Sequence, residues 1–454
     1  MDYTTEKITA IGQQVVELMK DTLPREGEGS GIGAVETQMR EILRQIGAVA
    51  LGQYLSTQVA EAEPQIACGC GGELKYQRER EASLLSVFGR VTYQRSYYAG
   101  CRCGKGQAPL DQSMGLKPGG VSSGLAELLA LGGIELAFEQ GRRWLEKYLL
   151  FTVSENTIRS ATETRGAQRQ AQEEAWRKQS QNEQWLQARL RSHATPPQRL
   201  YGSIDAAKTR IEPRCPEEKA LREEAFRDLK VGCWYELEAV PAAQRSRRQQ
   251  EKYDREQHVF RAKNLRYYCD LEEAKQFGNL VWATGCRVLA DYVPELVFVC
   301  DGAVWIWHLV KQYYPHAVQI VDWYHATEHL EKIAAMAFAQ AEERQAWLAD
   351  VKEALWNGQV QDVIRSCQNL AVGQPKVSPE IAYFVNNEAR MDYARFRAAG
   401  YAIGSGTIES ACKQIVVQRL RKSGAQWSVD GAVRTAKARA AWLSGEWDSL
   451  PLAI

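Results

Sequence analysis

From Arg199 onward the chain alternates short apolar runs of strand length with stretches of helical periodicity, and this alternation limits the fold more than any other feature. Strands are expected at 199–205, 229–240, 265–270, 296–301 and 317–323, with helices near 272–284 and 303–314. Such an order argues for an α/β layer structure with a largely parallel portion. Between His325 and Tyr401 only helical patterns occur, so an all-α block is inserted within the α/β region.

Three carboxylates stand at the edges of these segments. Asp205 closes Leu200-Tyr-Gly-Ser-Ile-Asp205, Asp301 closes Glu295-Leu-Val-Phe-Val-Cys-Asp301, and Glu409 sits in Gly404-Ser-Gly-Thr-Ile-Glu409. Each has an ordinary explanation by itself: a turn or cap for the aspartates, and a dipole-favoured first-turn position for the glutamate. Together they suit a divalent-metal site, because Mg²⁺ takes a few hard carboxylate oxygens and completes its octahedron with phosphate and water. In open α/β sheets, ligands also gather at the carboxyl ends of strands.

Cations crowd the same regions. Lys208 and Arg210 follow Asp205, while Lys413, Arg419, Arg421, Lys422, Arg434, Lys437 and Arg439 surround Ser423-Gly-Ala-Gln-Trp427. A carboxylate beside a basic, Trp-bearing segment fits a polyanionic substrate. Lys208, Arg210, Lys413, Arg419, Arg421, Lys422 and Trp427 are therefore candidate DNA contacts, together with Arg159 in the helical region upstream.

The segment His325-Ala-Thr-Glu-His329 matches H-x-x-E-H, a pattern of zinc peptidases. It begins directly after a strand, however, and no downstream acidic helix offers a third ligand. Asp322-Trp-Tyr-His325 reads better as D-x-x-H beside the acidic site, with His325 touching substrate or supporting the acids.

Upstream, residues 1–62 have helical texture, with Ile8, Ile11, Val15, Leu18 and Met19 in periodic positions and a second helix at 35–54 after a Gly-rich break at 26–33. Residues 63–117 turn β-like, with a hairpin expected in 86–98. Cys68-Gly-Cys70 and Cys101-Arg-Cys103 flank this stretch as knuckles flank a zinc ribbon, although the usual knuckle is C-x₂-C; structural zinc and unliganded thiols both remain open. Lys75, Arg78, Arg80, Arg90 and Arg95 alternate with Tyr76, Tyr93, Tyr97 and Tyr98, which suits either DNA contact or a solvated face. Residues 118–195 return to helix, and Thr152 with Glu155 forms a capping box between two helices. That pair is either a helix-turn-helix or a plain αα corner. Pro196-Pro197 marks the expected start of the catalytic region, 196–330, followed by the helical block 331–400 and a basic last part, 401–454.

A net charge of +1 confines any nucleic-acid surface to a local patch. The start of the chain lacks the pattern of a secretory signal, and the most apolar segment, 125–138, is too short and too charged to span a bilayer. Of 11 cysteines, seven are scattered singly (Cys215, Cys233, Cys269, Cys286, Cys300, Cys367, Cys412), as expected for free buried thiols in a cytoplasmic protein; the 245–261 charged run reads as a solvated loop.

Taken in order, Asp205, Asp301, Asp322-x-x-His325, the helical block and Gly404-Ser-Gly-Thr-Ile-Glu-Ser410 resemble the DDE transposases of bacterial insertion sequences, the ISKra group related to Mutator-like elements. Val321-Asp-Trp-Tyr-His-Ala-Thr-Glu-His-Leu330 carries much of that likeness, which covers roughly residues 65–445. The resemblance implies an RNase H-like catalytic core with the helical block inserted before the last acid, and Asp205, Asp301 and Glu409 as ligands of two Mg²⁺ (or Mn²⁺) ions. It further implies cleavage and strand transfer of double-stranded DNA at terminal inverted repeats, a target DNA, a homo-oligomer, and a nucleoid-associated location without membrane attachment. A non-catalytic DNA-binding regulator descended from such an enzyme, and a metallopeptidase, are the competing expectations.

Overall fold

A computed structural model describes residues 5–20, 31–59, 63–192, 196–212, 226–241, 244, 259–371 and 375–450. Cys215, most of the Gly-rich break and most of the 245–261 run lie outside the described residues. The chain divides into two compact units, Met1–Ala161 and Thr162–Pro451. Among the described residues no helix is long and apolar enough to cross a membrane.

In the first unit, helices Thr5–Met19 and Ile32–Thr57 precede a three-stranded antiparallel sheet of β1 (Gln65–Ala67), β2 (Glu73–Ser86) and β3 (Gly89–Ala99). The expected hairpin is longer than its sequence texture suggested, because β2 begins at Glu73 and pairs along its length with β3 up to the Ser86–Gly89 turn. Leu55 from helix Ile32–Thr57 packs with Ala82, Leu84, Val91, Tyr93 and Leu110. A second core joins helices Ser123–Glu135 and Phe138–Leu149 to Val153 and Ile158. The cap of the following helix, Glu155–Gln179, differs from expectation: Ser154 Oγ accepts the Thr157 N–H at 3.1 Å, while Thr152 turns back to donate to Glu146. Ser154 stands three residues before Thr157, the reach a cap needs, and Thr152 is too early.

The second unit is a mixed α/β structure. Its five strands are β4 (Arg199–Arg210), β5 (Phe226–Ala239), β6 (Phe260–Asp270), β7 (Glu295–Cys300) and β8 (Val318–Val321), in the spatial order β6-β5-β4-β7-β8. The sheet is less parallel than expected. β4 pairs antiparallel with β5, and β5 with β6, whereas β4–β7 and β7–β8 are parallel. Parallel neighbours need a crossover, which helix Val304–Tyr313 provides between β7 and β8, while helix Ala274–Arg287 precedes β7. One sheet face carries an aromatic layer in which Trp234, Phe298 and Tyr314 meet at centroid distances of 5.5–5.7 Å. The helical block follows β8 as Trp323–Ala337, Ala341–Trp356, Val360–Ala371, Ser378–Asn387 and Tyr393–Ala398.

The division between units falls at Ala161/Thr162, well before Pro196-Pro197. Ion pairs tie the residues between these two points into the second unit. Within the second unit, helix Glu155–Gln179 supplies Glu173, whose carboxylate binds the Lys437 ammonium, and Arg169, which pairs with Glu173 at 3.0 Å and Glu446 at 2.7 Å. Lys437 also reaches Asp270 and the Cys269 carbonyl, each at 2.8 Å. Helix Glu183–Ser192 adds Arg189, paired with Asp291 at 3.0 Å. Residues assigned from sequence to a helical region ahead of the core are thus part of the core unit.

Lys437 is 1% exposed. Lys437→Met removes the ammonium shared by Glu173, which keeps Arg169, and Asp270, and breaking one side of a buried ion group costs about 3–5 kcal/mol. Urea denaturation of the full-length variant should show a loss of that size; a loss under about 1 kcal/mol, the value of an exposed pair, would contradict this account.

Candidate functional site

The recorded β4–β7 register ends with Gly202 opposite Phe298, and the β7–β8 register ends with Cys300 opposite Val321. Continuing both in step sets Asp205 beside Asp301 and Asp301 beside Asp322, a row across three adjacent parallel strands at their carboxyl ends. Because side chains alternate along a strand, Asp205 shares the face of Tyr201 and Ser203. Asp205 is not itself a strand end, since β4 runs on to Arg210; it marks where β4 loses its parallel partner and keeps only β5.

Glu409 enters from helix Gly406–Cys412. Cys412, three residues later on that helix, donates its thiol to Asp205 Oδ2 at 3.5 Å, so this helix is docked on the Asp205 face. A π-helical turn, Lys413–Val417, follows immediately. The loop before the helix is tied to Asp322. That carboxylate has no exposed surface; Oδ1 accepts the His325 N–H at 2.7 Å, and Oδ2 accepts the Ser405 N–H. His325 Nδ1 lies 3.3 Å from Oδ1, and Ser405 Oγ donates to Glu409 Oε1 at 3.4 Å.

Asp322, His325 and Glu409 present one potential ligand atom each within 4.8 Å of one another. Among the described residues, Asp205, Asp301 and Glu409 do not close to that distance as a set. The compact trio is a poor metal ligand set as it stands, because both Asp322 oxygens are occupied by backbone donors and His325 carries a proton. The Asp322 hydrogen bond raises the His325 imidazole to about 9 despite burial, and the Asp322 and Asp301 charges add to it. Burial pulls Asp322 upward, but the His325 side chain and the His325 and Ser405 backbone N–H groups outweigh it and leave the carboxyl below its usual value. Asp322 thus fastens the site, a role sequence reading missed; the only signal was its place after a strand and three before His325.

Asp205 behaves differently. Burial pushes its carboxyl above the usual range, the Ala206 N–H accepted by Oδ1 at 2.6 Å offsets part of this, and the Asp301 charge pushes it further. A half-buried acid whose ionisation is disfavoured by burial and by a neighbouring carboxylate is a donor that a divalent cation relieves.

His329, the second histidine of H-x-x-E-H, pairs through Nδ1 with Glu380, while His325 is engaged with Asp322. No described metal-ligand group contains both histidines.

The candidate DNA contacts separate into two kinds. Lys208, Arg210, Lys413, Arg421 and, in the first unit, Arg159 are exposed, and Lys422 is half-buried. A bridge between Ile211 and Trp427, with Glu212 N–H donating to the Trp427 carbonyl at 2.6 Å, draws the segment before Trp427 to the end of β4. Arg419 and Trp427 must be corrected: they are 2% and 6% exposed, the guanidinium lies 5.0 Å from the indole centroid, and the indole N–H donates to the Leu420 carbonyl. They form core, as do Lys437 and Arg439. In the β module, Arg95, Tyr93 and Tyr98 are also buried, Arg95 and Tyr93 both binding Asp111; Lys75, Arg78, Arg80 and Arg90 stay exposed.

The four paired cysteines converge. Cys68–Cys103, Cys68–Cys70 and Cys70–Cys101 Sγ separations are 3.5, 3.4 and 3.4 Å, and all four sulfurs lie within 4.8 Å. A zinc ion with Zn–S of about 2.3 Å needs tetrahedron edges of roughly 3.8 Å, so this cluster could bind zinc. The C-x-C spacing works because each pair sits in a tight turn, Gly71 N–H donating to the Cys68 carbonyl and Gly104 N–H to the Cys101 carbonyl, both at 2.9 Å. Gly72 is needed for space: a Cβ there would sit 2.8 Å from Cys101 Sγ.

No protein-family model matches the chain, and comparison with curated proteins finds no match.

Two measurements check this geometry. Purified protein should carry about one zinc per chain by elemental analysis, and Cys68→Ser, Cys103→Ser and Gly72→Ala should each lower it, since one lost or displaced thiolate opens the closed S₄ set. For His325, an NMR titration of metal-free protein should show a midpoint near 9. A raised folded-state value stabilises fully below the unfolded value of 6.5 and is lost as pH rises through 9, so wild-type stability should fall over that window relative to His325→Gln.

Proposed function

We propose that this chain is a DDE-type transposase that cleaves DNA at the ends of an insertion sequence and joins them to a target, using an RNase H-like core formed by β4–β8. The observation that carries the reading is the register that aligns Asp205, Asp301 and Asp322 across neighbouring strands, with the Glu409 helix docked on Asp205 through Cys412. The mixed five-stranded sheet, with a helical block between its last strand and Glu409, is compatible with that core.

In this reading Asp205, Asp301 and Glu409 hold two Mg²⁺ (or Mn²⁺), and their wider spacing suits ions that keep several waters. Bound there, the ions supply Lewis-acid stabilisation and lower the pKa of a water or DNA 3′-hydroxyl for in-line attack on a phosphodiester. Asp205 and Asp301 are half-buried, which weakens the screening of a metal charge beside them, while Glu409 stands exposed. Asp322 fixes the Glu409 loop and orients His325, whose charged ring offers a donor to a phosphate oxygen or leaving group. Lys208, Arg210, Lys413, Arg421 and Lys422 neutralise backbone phosphates near the acids, while Arg159 and the zinc-ribbon-like module contact the terminal repeats. Double-stranded DNA is the partner; handling two ends calls for a homo-oligomer, and the cytoplasmic nucleoid is the setting.

Asp205→Asn, Asp301→Asn and Glu409→Gln should each reduce Mg²⁺-dependent strand cleavage of a repeat-end substrate by roughly a hundredfold or more, with end binding retained. Nicking at wild-type rate by any variant removes that residue from the ligand set. A wild-type protein that binds ends yet never cuts, with Mg²⁺ or Mn²⁺, is a regulator.

A further inference from the structure

An aromatic side chain of the helical block reaches the loop that carries Asp301. Tyr383, on helix Ser378–Asn387, donates its hydroxyl to the backbone carbonyl of Asp301 at 2.8 Å. Its ring covers Gly302, which has φ of 96° and no room for a Cβ against that ring. One turn later, Asn387 donates to the Gly302 carbonyl at 3.4 Å and the Tyr383 carbonyl at 3.0 Å. Asp301 Oδ1 meanwhile accepts the Ala303 N–H at 2.9 Å. The direction of the Asp301 carboxylate is therefore set by a three-residue loop, two of whose carbonyls are gripped by the same helix.

Behind Tyr383 stands His329. The two rings stack with centroids 3.7 Å apart and planes 19° from parallel, and His329 Nδ1 is paired with Glu380, three residues before Tyr383 on the same helix. The histidine left unused by the carboxylate row thus backs the tyrosine that grips it.

We propose that Tyr383 is a positioning residue for Asp301, coupling the helical block to the metal-binding carboxylate, with His329 and Glu380 fixing its ring. The proposal rests on the reading of Asp301 as a metal ligand. Tyr383 touches the loop backbone, so removing its hydroxyl frees the loop to rotate without leaving a core cavity. Outer partners of metal ligands typically contribute 10–100-fold in affinity, and a bond to the ligand's backbone belongs at the low end.

The test is Mn²⁺ binding to the full-length protein, read from the free-ion electron paramagnetic resonance signal. Tyr383→Phe should weaken binding about tenfold. Its metal-free unfolding midpoint should be unchanged, and the Mg²⁺ concentration for half-maximal cleavage should rise in parallel. Glu380→Gln, which keeps the phenol and loosens His329, should weaken binding by less. Wild-type affinity in Tyr383→Phe, when Asp301→Asn has lost binding, overturns the positioning role and leaves the ligand reading intact. Unchanged affinity in Asp301→Asn overturns both. Should Tyr383→Phe fail to fold, Glu380→Gln decides, and wild-type affinity there counts against the proposal.

Discussion

Asp322 is a carboxylate with no access to water, and such a group is tolerated only when its oxygens are filled by donors. The donors come from two places far apart in sequence: His325, in the first turn of the helix that leaves β8, and Ser405, in the loop before Glu409. The Trp323 N–H adds a bond to the Ile403 carbonyl at 2.9 Å. The 80-odd residues of helical block between these points can therefore vary in path only as far as both ends return to one aspartate. Loop closure over such a length is entropically costly, and a buried, multiply bonded carboxylate is a strong way to fasten it.

With that latch in place, Asp205 is held against burial and the Asp301 charge. Asp205 and Asp301 sit on adjacent strands where neither can turn away, because the register is shared with the aromatic layer of the opposite face. The latch leaves a positive ring, His325, beside them, which partly balances their charge. Cys412 adds a weak, neutral donor to Asp205 rather than a second charge.

The strand and helix order of the second unit was legible from residue 199 onward, since its apolar runs are short, β-branched and ended by acids. What sequence could not give was partnership. Lys437 and Arg439 look like surface cations of an Ala-rich helix, Val429–Leu443, yet they are buried, and the carboxylate that neutralises Lys437 belongs to Glu173, 264 residues earlier. The same blindness set the expected boundary at Pro196-Pro197 rather than ahead of Arg169 and Glu173, for nothing local marks those two as core of the second unit. The three candidate carboxylates stand out in sequence because each ends or interrupts a patterned segment, whereas Asp322 as a latch and Tyr383 as a grip depend on contacts no spacing rule encodes. The direction of β5 and β6 was hidden too, as alternation reports strands and not their orientation.

The β module follows a different logic. Its outer core is only Cys68, Leu74 and Tyr98 with Ile66, Tyr76 and Cys101 packed against them, too few apolar groups to order two turns and the short strand β1. Four thiols at tetrahedral spacing supply what packing lacks, because metal binding there would be folding free energy. The Gly72 backbone N–H lowers the Cys70 thiol to about 7, with Cys101 and the other thiols helping, so a first thiolate is available near neutral pH to begin assembly. The glycines that make C-x-C workable thus act twice, turning the chain and clearing space for sulfur, and the rest of the module, anchored by Leu55 and Tyr93, needs no such help.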